Sequence, residues 1–454
     1  MLLPAFFSDE RVTDGFGAAA ERPLPRSWSA EIKEVQFGSS VACCVVRRIV
    51  EGIAPSRLGL DFRWLFAASW TTNIGDGIAV AAGPLLLATQ TRDPGLVAMA
   101  LLVQRLPYLL IGLYVGVLAD RVNRRRVVIV VNILRALLVG ALAVTIATGR
   151  VNVAVVLAAL FILGTAEVFA DITKSTLLPM VVDRPDLGVA NARIVSGFIT
   201  ANQLVGPAIG AFLFAVGMAV PFGAQALCMA LGAVLISRIG PTSPVKAGEP
   251  SHLGRDLKEG FRWLWNHAPL RTLAITVFFF NITLGAAWSV LVLIAIERLQ
   301  VGEVGYGLMI AVGAIGGLLG AAAYGALESR FSLADVMRAG LIVECLTHLT
   351  LATTTTPWVG MTILFFFGAH NSIWGTTTTT IRQRVVPADY QGRVSSFNQL
   401  GSYGGLVAGA ALGGVIASRW GVTGPFWFAF AGSVVILALI WRELSHIADA
   451  GDEL

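Results

Sequence analysis

Charge is what this sequence has least of. Only 13% of its 454 residues are Asp, Glu, Lys or Arg, and 56% are hydrophobic, whereas a soluble domain carries about 25% charged residues. One large core does not account for that deficit. Cysteine is scarce as well: Cys43, Cys44, Cys228 and Cys345 form no CxxC or Cys/His spacing, so neither a zinc site nor a disulfide framework is expected. No Gly-x-x-x-x-Gly-Lys-Ser/Thr loop occurs to cradle nucleotide phosphates, which excludes an ATP-driven pump. Residues 1–57 lack a signal-peptide pattern, because the apolar VACCVV at 41–46 is short and runs into Arg47 and Arg48. That stretch reads as a disordered tail or an upstream misassignment of the start. No metal, cofactor or nucleic-acid partner is expected.

What fills the chain instead is long apolar runs, each able to cross a hydrocarbon layer of about 30 Å. Twelve spans are predicted, near 62–89, 95–118, 127–148, 152–173, 194–216, 220–238, 271–296, 304–327, 336–355, 358–380, 396–418 and 422–442. They are too long for barrel strands and show no two-residue alternation, so they are helices. The 49 glycines fit helices that pack closely without water to drive them together. With the amino terminus inside, the inner loops hold 18 Lys and Arg. The outer loops hold four, Arg92, Arg150, Arg298 and Arg419. Both chain ends are therefore expected in the cytoplasm.

Organisation follows from the longest connection. Residues 1–60 form a cytoplasmic tail, 61–238 a six-helix half, 239–270 a linker, 271–442 a second six-helix half and 443–454 a short tail. In the linker, Leu253, Leu257, Phe261, Leu264 and Trp265 recur at helical spacing between basic residues. That pattern fits an amphipathic helix on the inner leaflet or a solvated linker helix. The halves are weakly repeated. VVDRPDLGVANARIVSG (181–197) aligns with VVPADYQGRVSSFNQLG (385–401), and GVLADR (116–121) with GALESR (325–330). Two six-helix halves in one orientation mark a transporter with a midplane site.

These stretches carry a resemblance. GVLADRVNRR (116–125) resembles the signature loop of the major facilitator superfamily. LLPMVVDRPDLGVANA (177–192) and VVPADYQGRVSS (385–396) are similar to the branch of macrolide-type drug exporters and enterobactin-type siderophore exporters. The resemblance covers about 60–442. Asn123 and Asn202 stand where the family commonly has glycine. It implies an all-α membrane fold of twelve helices in two repeated halves, with the first, fourth, seventh and tenth spans lining a cavity. It also implies that Gly116, Asp120, Arg121, Arg124 and Arg125 form a cytoplasmic gate, and that Gly206, Pro207 and Gly210 are a remnant of the fifth-helix glycine pattern.

Charges inside the spans come next, since each costs several kcal/mol near the bilayer centre. Asp76 lies 14 residues into its span, about 21 Å along a helix rising ~1.5 Å per residue. Arg105 lies at similar depth and is expected to pair with it. Glu167 and Asp171, four apart, share one helix face. These four are the candidates for proton coupling. Glu344 and His348, also four apart, fall on the ninth span, which the family places at the periphery, so they read as structural. Asn281, Trp288, His370 and Asn371 would face the cavity and contact substrate.

The resulting expectation is a multi-pass bacterial inner-membrane protein, monomeric, whose partners are a small-molecule substrate, protons and the bilayer. It would export hydrophobic or amphipathic drugs by proton-coupled alternating access. The alternative is a siderophore exporter of the same fold. A non-transporting receptor and an intramembrane protease, the latter resting on Gly75-Asp76 alone, are remote.

Overall fold

A computed structural model describes residues 55–119, 123–240 and 253–449. Apolar runs this long satisfy every backbone group internally only as helices. They form α1 (Leu60–Gln90), α2 (Pro94–Ala119), α3 (Arg124–Ala147), α4 (Val153–Val181), α5 (Leu187–Val216) and α6 (Val220–Ser237). After the linker helix α7 (Leu253–Asn266) come α8 (Ala268–Arg298), α9 (Gly302–Glu328), α10 (Leu333–Thr353), α11 (Pro357–Val385), α12 (Ala388–Trp420), α13 (Gly424–Ile440) and the short α14 (Glu443–Asp449).

Local signals set the starts. Asn123, Asn152 and Ser332 accept hydrogen bonds from the backbone N–H three residues on, at 3.0, 3.0 and 3.1 Å, each satisfying an orphan donor of the first turn. Prolines open α6, α8, α11 and α13, where no N–H is needed. Among the described residues nine helices are long and apolar enough to cross a membrane, and α13 is a shorter apolar one. α1 and α11 have the length, 31 and 29 residues, but carry polar runs: Thr71 to Asn73 with Asp76, and His370, Asn371 and five threonines. In the threonine run, the Thr376 and Thr377 hydroxyls donate to Ser372 and Ile373 carbonyls at 2.9 Å. Hydroxyls that bond back to their own helix need no other partner in an apolar setting.

Several helices outrun the apolar runs. α5 begins at Leu187 rather than 194 and α12 at Ala388 rather than 396. Their first turns carry polar residues that extend the helix past the apolar stretch. α7 docks on the second half: Glu259 pairs with Arg393 at 2.8 Å, Phe261 stacks near Phe397, and Leu264 is buried. Phe261 and Trp265 keep an outer face exposed. The segment after residue 442 is helical rather than loose, because Leu444, Ile447 and Ala448 share one face and bury it in the same core. The predicted tails at 1–54 and 450–454, and linker residues 241–252, lie outside the described residues.

The cores show how the halves meet. Two of them lie at the end bearing the arginine-rich α2–α3 loop. Phe62, Leu65, Val128, Leu177 and Ile236 pack within the first half, and Leu273, Met337, Ile381 and Leu444 within the second. At the opposite end a single core joins both, from Leu85, Val97 and Phe214 to Leu291, Met309 and Phe426. The halves are thus fused at one end and separate at the other, leaving a cleft that opens toward the arginines. α2 against α12 and α5 against α9 make the fused seam. Glycine makes that approach feasible: a Cβ on Gly95 would stand 2.7 Å from the Ser418 hydroxyl, closer than atoms pack.

Candidate functional site

The site is built on α1. Asp76 is 9% exposed and pairs with Arg135 of α3, itself 2% exposed. The bond runs from Arg135 Nη2 to Asp76 Oδ1. The expected partner, Arg105, is not the one Asp76 takes. Both arginines lie at suitable depth, but the α1 face bearing Asp76 turns toward α3 and α6, whose Gln225 and Asn132 are also buried there. Gly75 lets α6 in: a Cβ on it would meet Cys228 Cβ at 2.8 Å. Buried charges persist only when paired, and this pair meets that condition.

Arg105 belongs to a second group. Its electrostatic neighbours are Glu167, Tyr108, Tyr403 and Asp171. The Tyr108 hydroxyl donates to Asp171 Oδ2 at 2.8 Å, and the Tyr108 ring stacks on Tyr403 of α12 with centroids 4.5 Å apart and planes 19° apart. Tyr403 comes from the other half, so the polar group spans the seam. The two groups communicate, since Glu167 feels Asp76, Arg105, Asp171 and Arg135 together. Lys174, one turn beyond Asp171, donates to Thr72 on α1 at 3.1 Å. Asp76, Glu167 and Asp171 therefore stand among Arg105 and Arg135, three carboxylates against two guanidiniums. Asp171 is exposed, toward the open end of the helix that carries it, whereas Glu167 is half-buried. Such an arrangement can take up or release a proton, and each change of charge alters the balance of the whole group.

With this geometry in hand, likeness to known proteins is decisive. Residues 51–451 match the family described as transmembrane secretion effector, within the major facilitator superfamily. The chain belongs to that family. The multidrug efflux pump Tap of Mycolicibacterium fortuitum is 30% identical over 383 residues, covering 80% of this chain and 90% of that protein. The pump of the same name in Mycobacterium tuberculosis is 28% identical over 314 residues, 65% and 72% of the two chains. Among solved structures, a variant of the nucleoside transporter NupG superposes with a TM-score of 0.71 at 12% identity, covering 85% of this chain and 99% of that one. A bacterial homologue of the iron transporter ferroportin, in an inward-facing state, gives 0.68 at 16% identity, covering 85% and 100%. At such identities the structures establish the fold.

The remaining candidates of this secretion effector fall in different places. Asp120 and Arg121 lie outside the described residues, and Gly116 is in the last turns of α2. Arg124 reaches Met180 Sδ at 3.6 Å, and Arg125 donates to the carbonyls of Ile236 and Ser237 at the end of α6. Cations suit a helix carboxyl end, and both contacts stay within one half. Gly206, Pro207 and Gly210 are buried where α5 meets α1. A Cβ on Gly206 would lie 2.6 Å from the Ala201 carbonyl, and one on Gly77 would lie 2.6 Å from the Asn202 carbonyl. Ala201 and Asn202 belong to a π-helical stretch, Ile199–Val205, the kind of wider turn that often marks a functional hinge.

In the second half, His370 is 6% exposed and faces Glu344 of α10 at 3.3 Å, in space left by Gly340. Trp288 packs its ring on Phe367 and lies edge-on to His348. The Asn281 amide donates to its own helix at Val277, 2.7 Å. Asn371 is exposed. Sequence reasoning passed over Arg135 and Tyr403. Arg135 carried the same signal as Arg105, a lone cation deep in an apolar span. Tyr403 carried none, because a tyrosine among glycines has no spacing that marks it.

Proposed function

We propose that this secretion effector exports hydrophobic or amphipathic small molecules from the cytoplasm, coupled to proton entry, by alternating access. The observation that carries the reading is the group of three carboxylates and two arginines that reaches Tyr403 across the seam. Fully ionised, Asp76, Glu167 and Asp171 exceed Arg105 and Arg135 by one negative charge. An unbalanced charge at membrane depth costs several kcal/mol, so the group favours one bound proton, held more or less tightly as its neighbours rearrange. Protonation thereby biases the equilibrium between two packings of the halves. The arginine-rich end is taken as cytoplasmic from the loop bias, which makes the present cleft inward-open. Substrate class rests on kinship with the efflux pumps. In this reading Asp120 and Arg121 hold the cytoplasmic end when the cleft closes there, with Arg124 and Arg125 as fixed anchors, and Asn281, Trp288 and Asn371 stand nearest the substrate path. The protein acts as a monomer in the bacterial inner membrane.

The test uses inside-out vesicles from a host expressing the full chain, with ethidium as an amphipathic probe. An imposed proton gradient should drive ethidium into the vesicles, and collapse of the gradient should release it. Gradient-independent ethidium levels, together with an unchanged drug-susceptibility profile of the expressing host, would overturn the reading. Secretion of an iron-chelating compound without any drug phenotype would transfer the site to siderophore export.

A further inference from the structure

We propose that Glu344, His348 and His370 form a proton-binding site in the second half, separate from the carboxylates of the first. Glu344 lies mid-way along α10 and is 7% exposed, yet no lysine or arginine pairs with it among the described residues. Two imidazoles stand against it: His370 Nε2 at 3.3 Å and His348 Nε2 at 3.8 Å. Asp76, in the first half, has a permanent cation in Arg135. Glu344 has only groups that become cationic by taking a proton. A bare carboxylate in hydrocarbon costs several kcal/mol, so neutralising this one takes a bound proton. His370 is the carrier, because it stands at hydrogen-bonding distance and forms an imidazolium–carboxylate pair with no net charge.

His348 is the spare acceptor. It is 0% exposed, both ring nitrogens lack hydrogen-bond partners, and Trp288 lies edge-on against it. A polar ring buried without partners is costly, and a role as second proton acceptor accounts for its presence. Other ionisable groups stand apart. Cys345 is the neighbour on α10 that feels Glu344. α13 has none. Those on α8, α9, α11 and α14 sit toward helix ends: Arg271, Glu297 and Arg298; Glu303, Tyr306, Tyr324 and Glu328; Arg382 and Arg384; Glu443 and His446. On α10 itself Asp335 pairs with Arg338 in the first turns. Arg298 is committed to the Thr353 and Thr354 carbonyls at the end of α10.

The full-length protein has five histidines. Replacing three outside the cluster, His252→Gln, His267→Gln and His446→Gln, leaves two imidazoles to observe by 15N NMR of histidine-labelled protein in nanodiscs. One imidazole, assigned by His348→Gln, should convert from the neutral to the doubly protonated form between about pH 8 and pH 5, the range where histidine titrates. With Glu344→Gln the doubly protonated form should be lost across that range, because the charge it pairs with is gone. Two imidazoles that stay neutral throughout would overturn the proposal, as would a transition unmoved by Glu344→Gln. Should Glu344→Gln fail to fold, the titration of the intact cluster decides alone. No solute is present in this measurement, so its failure leaves the export reading standing, and the reverse holds too.

Discussion

Asp76→Asn is the perturbation that separates structural pairing from coupling. Arg135 has three guanidinium nitrogens. Nη2 is bonded to Asp76, while Nε and Nη1 are buried without partners. Removing one member of a buried ion pair costs about 3–5 kcal/mol. Asparagine keeps an acceptor oxygen, and a hydrogen bond to a charged group is worth about 1.5–3 kcal/mol. The expected loss is therefore about 2 kcal/mol for Asp76→Asn and about 4 kcal/mol for Asp76→Ala. Asp76→Leu combined with Arg135→Met removes both charges and should recover most of it. Thermal melting of the purified protein compares all three variants with the unaltered chain. Transport in proteoliposomes supplies the second readout. Asparagine mimics the protonated carboxyl, so uphill ethidium export should vanish while downhill exchange continues. Glu167→Gln is the control. If Asp76→Asn still concentrates ethidium and Glu167→Gln does not, coupling belongs to α4. If both pump normally, the buried charges are structural and the proton-coupling argument fails.

Other expectations follow from single contacts. Tyr108→Phe removes the 2.8 Å bond to Asp171, which joins α2 to α4 within the first half, and should lower stability by about 1.5 kcal/mol in the same melting assay. Gly210→Leu should destabilise the protein by about 2 kcal/mol or more, since a Cβ there would lie 2.8 Å from Ile78 Cα. Gly140→Ala, where the nearest atom is 4.0 Å away, should be neutral in the same melting assay. An engineered cysteine beyond residue 442 should resist impermeant thiol reagents applied outside intact cells, and its labelling would reverse the topology. Asp120→Asn should slow ethidium flux with little change in ethidium binding; unchanged flux would leave the α2–α3 loop as a topology signal only.

Run length carried most of the fold. Spans such as Arg124–Ala147 announce themselves by an apolar stretch of membrane thickness. Partner choice was less legible. Arg105 and Arg135 both sit deep in apolar helices, and depth alone cannot say which faces Asp76. That depends on how α1 is rotated, which Gly75 against Cys228 and Gly77 against the Asn202 carbonyl fix. The π-helical stretch in α5 had no sequence signature, because its wider turn answers to α1 rather than to local propensity. The contact between His370 and Glu344 was illegible for a related reason: its neighbour Asn371 is exposed, and one position on a helix is a turn of about 100°.

The internal repeat gives these charges a common frame. GVLADR and GALESR are 209 residues apart, and so are the first residues of α3 and α10, Arg124 and Leu333. The same shift carries Arg135 onto Glu344. α4 and α11 repeat at 204 residues, Val153 to Pro357 and Val181 to Val385, which carries Glu167 onto Asn371 and leaves Ala166 opposite His370. Each half thus places a charged side chain at one equivalent depth, but with opposite sign and a different answer to burial. The first half neutralises its charge with a fixed partner, Asp76 against Arg135. The second meets a carboxylate with imidazoles, whose charge depends on pH. A duplicated scaffold moves as two similar bodies, yet a two-state machine needs groups whose interaction differs between states. The Asp76–Arg135 pair lies within the first half, whereas the group at Arg105, Tyr108, Asp171 and Tyr403 crosses the seam. The division of labour is physical: the guanidiniums keep their charge, and the carboxylates facing them and the imidazoles of the second half are the groups that a proton can change.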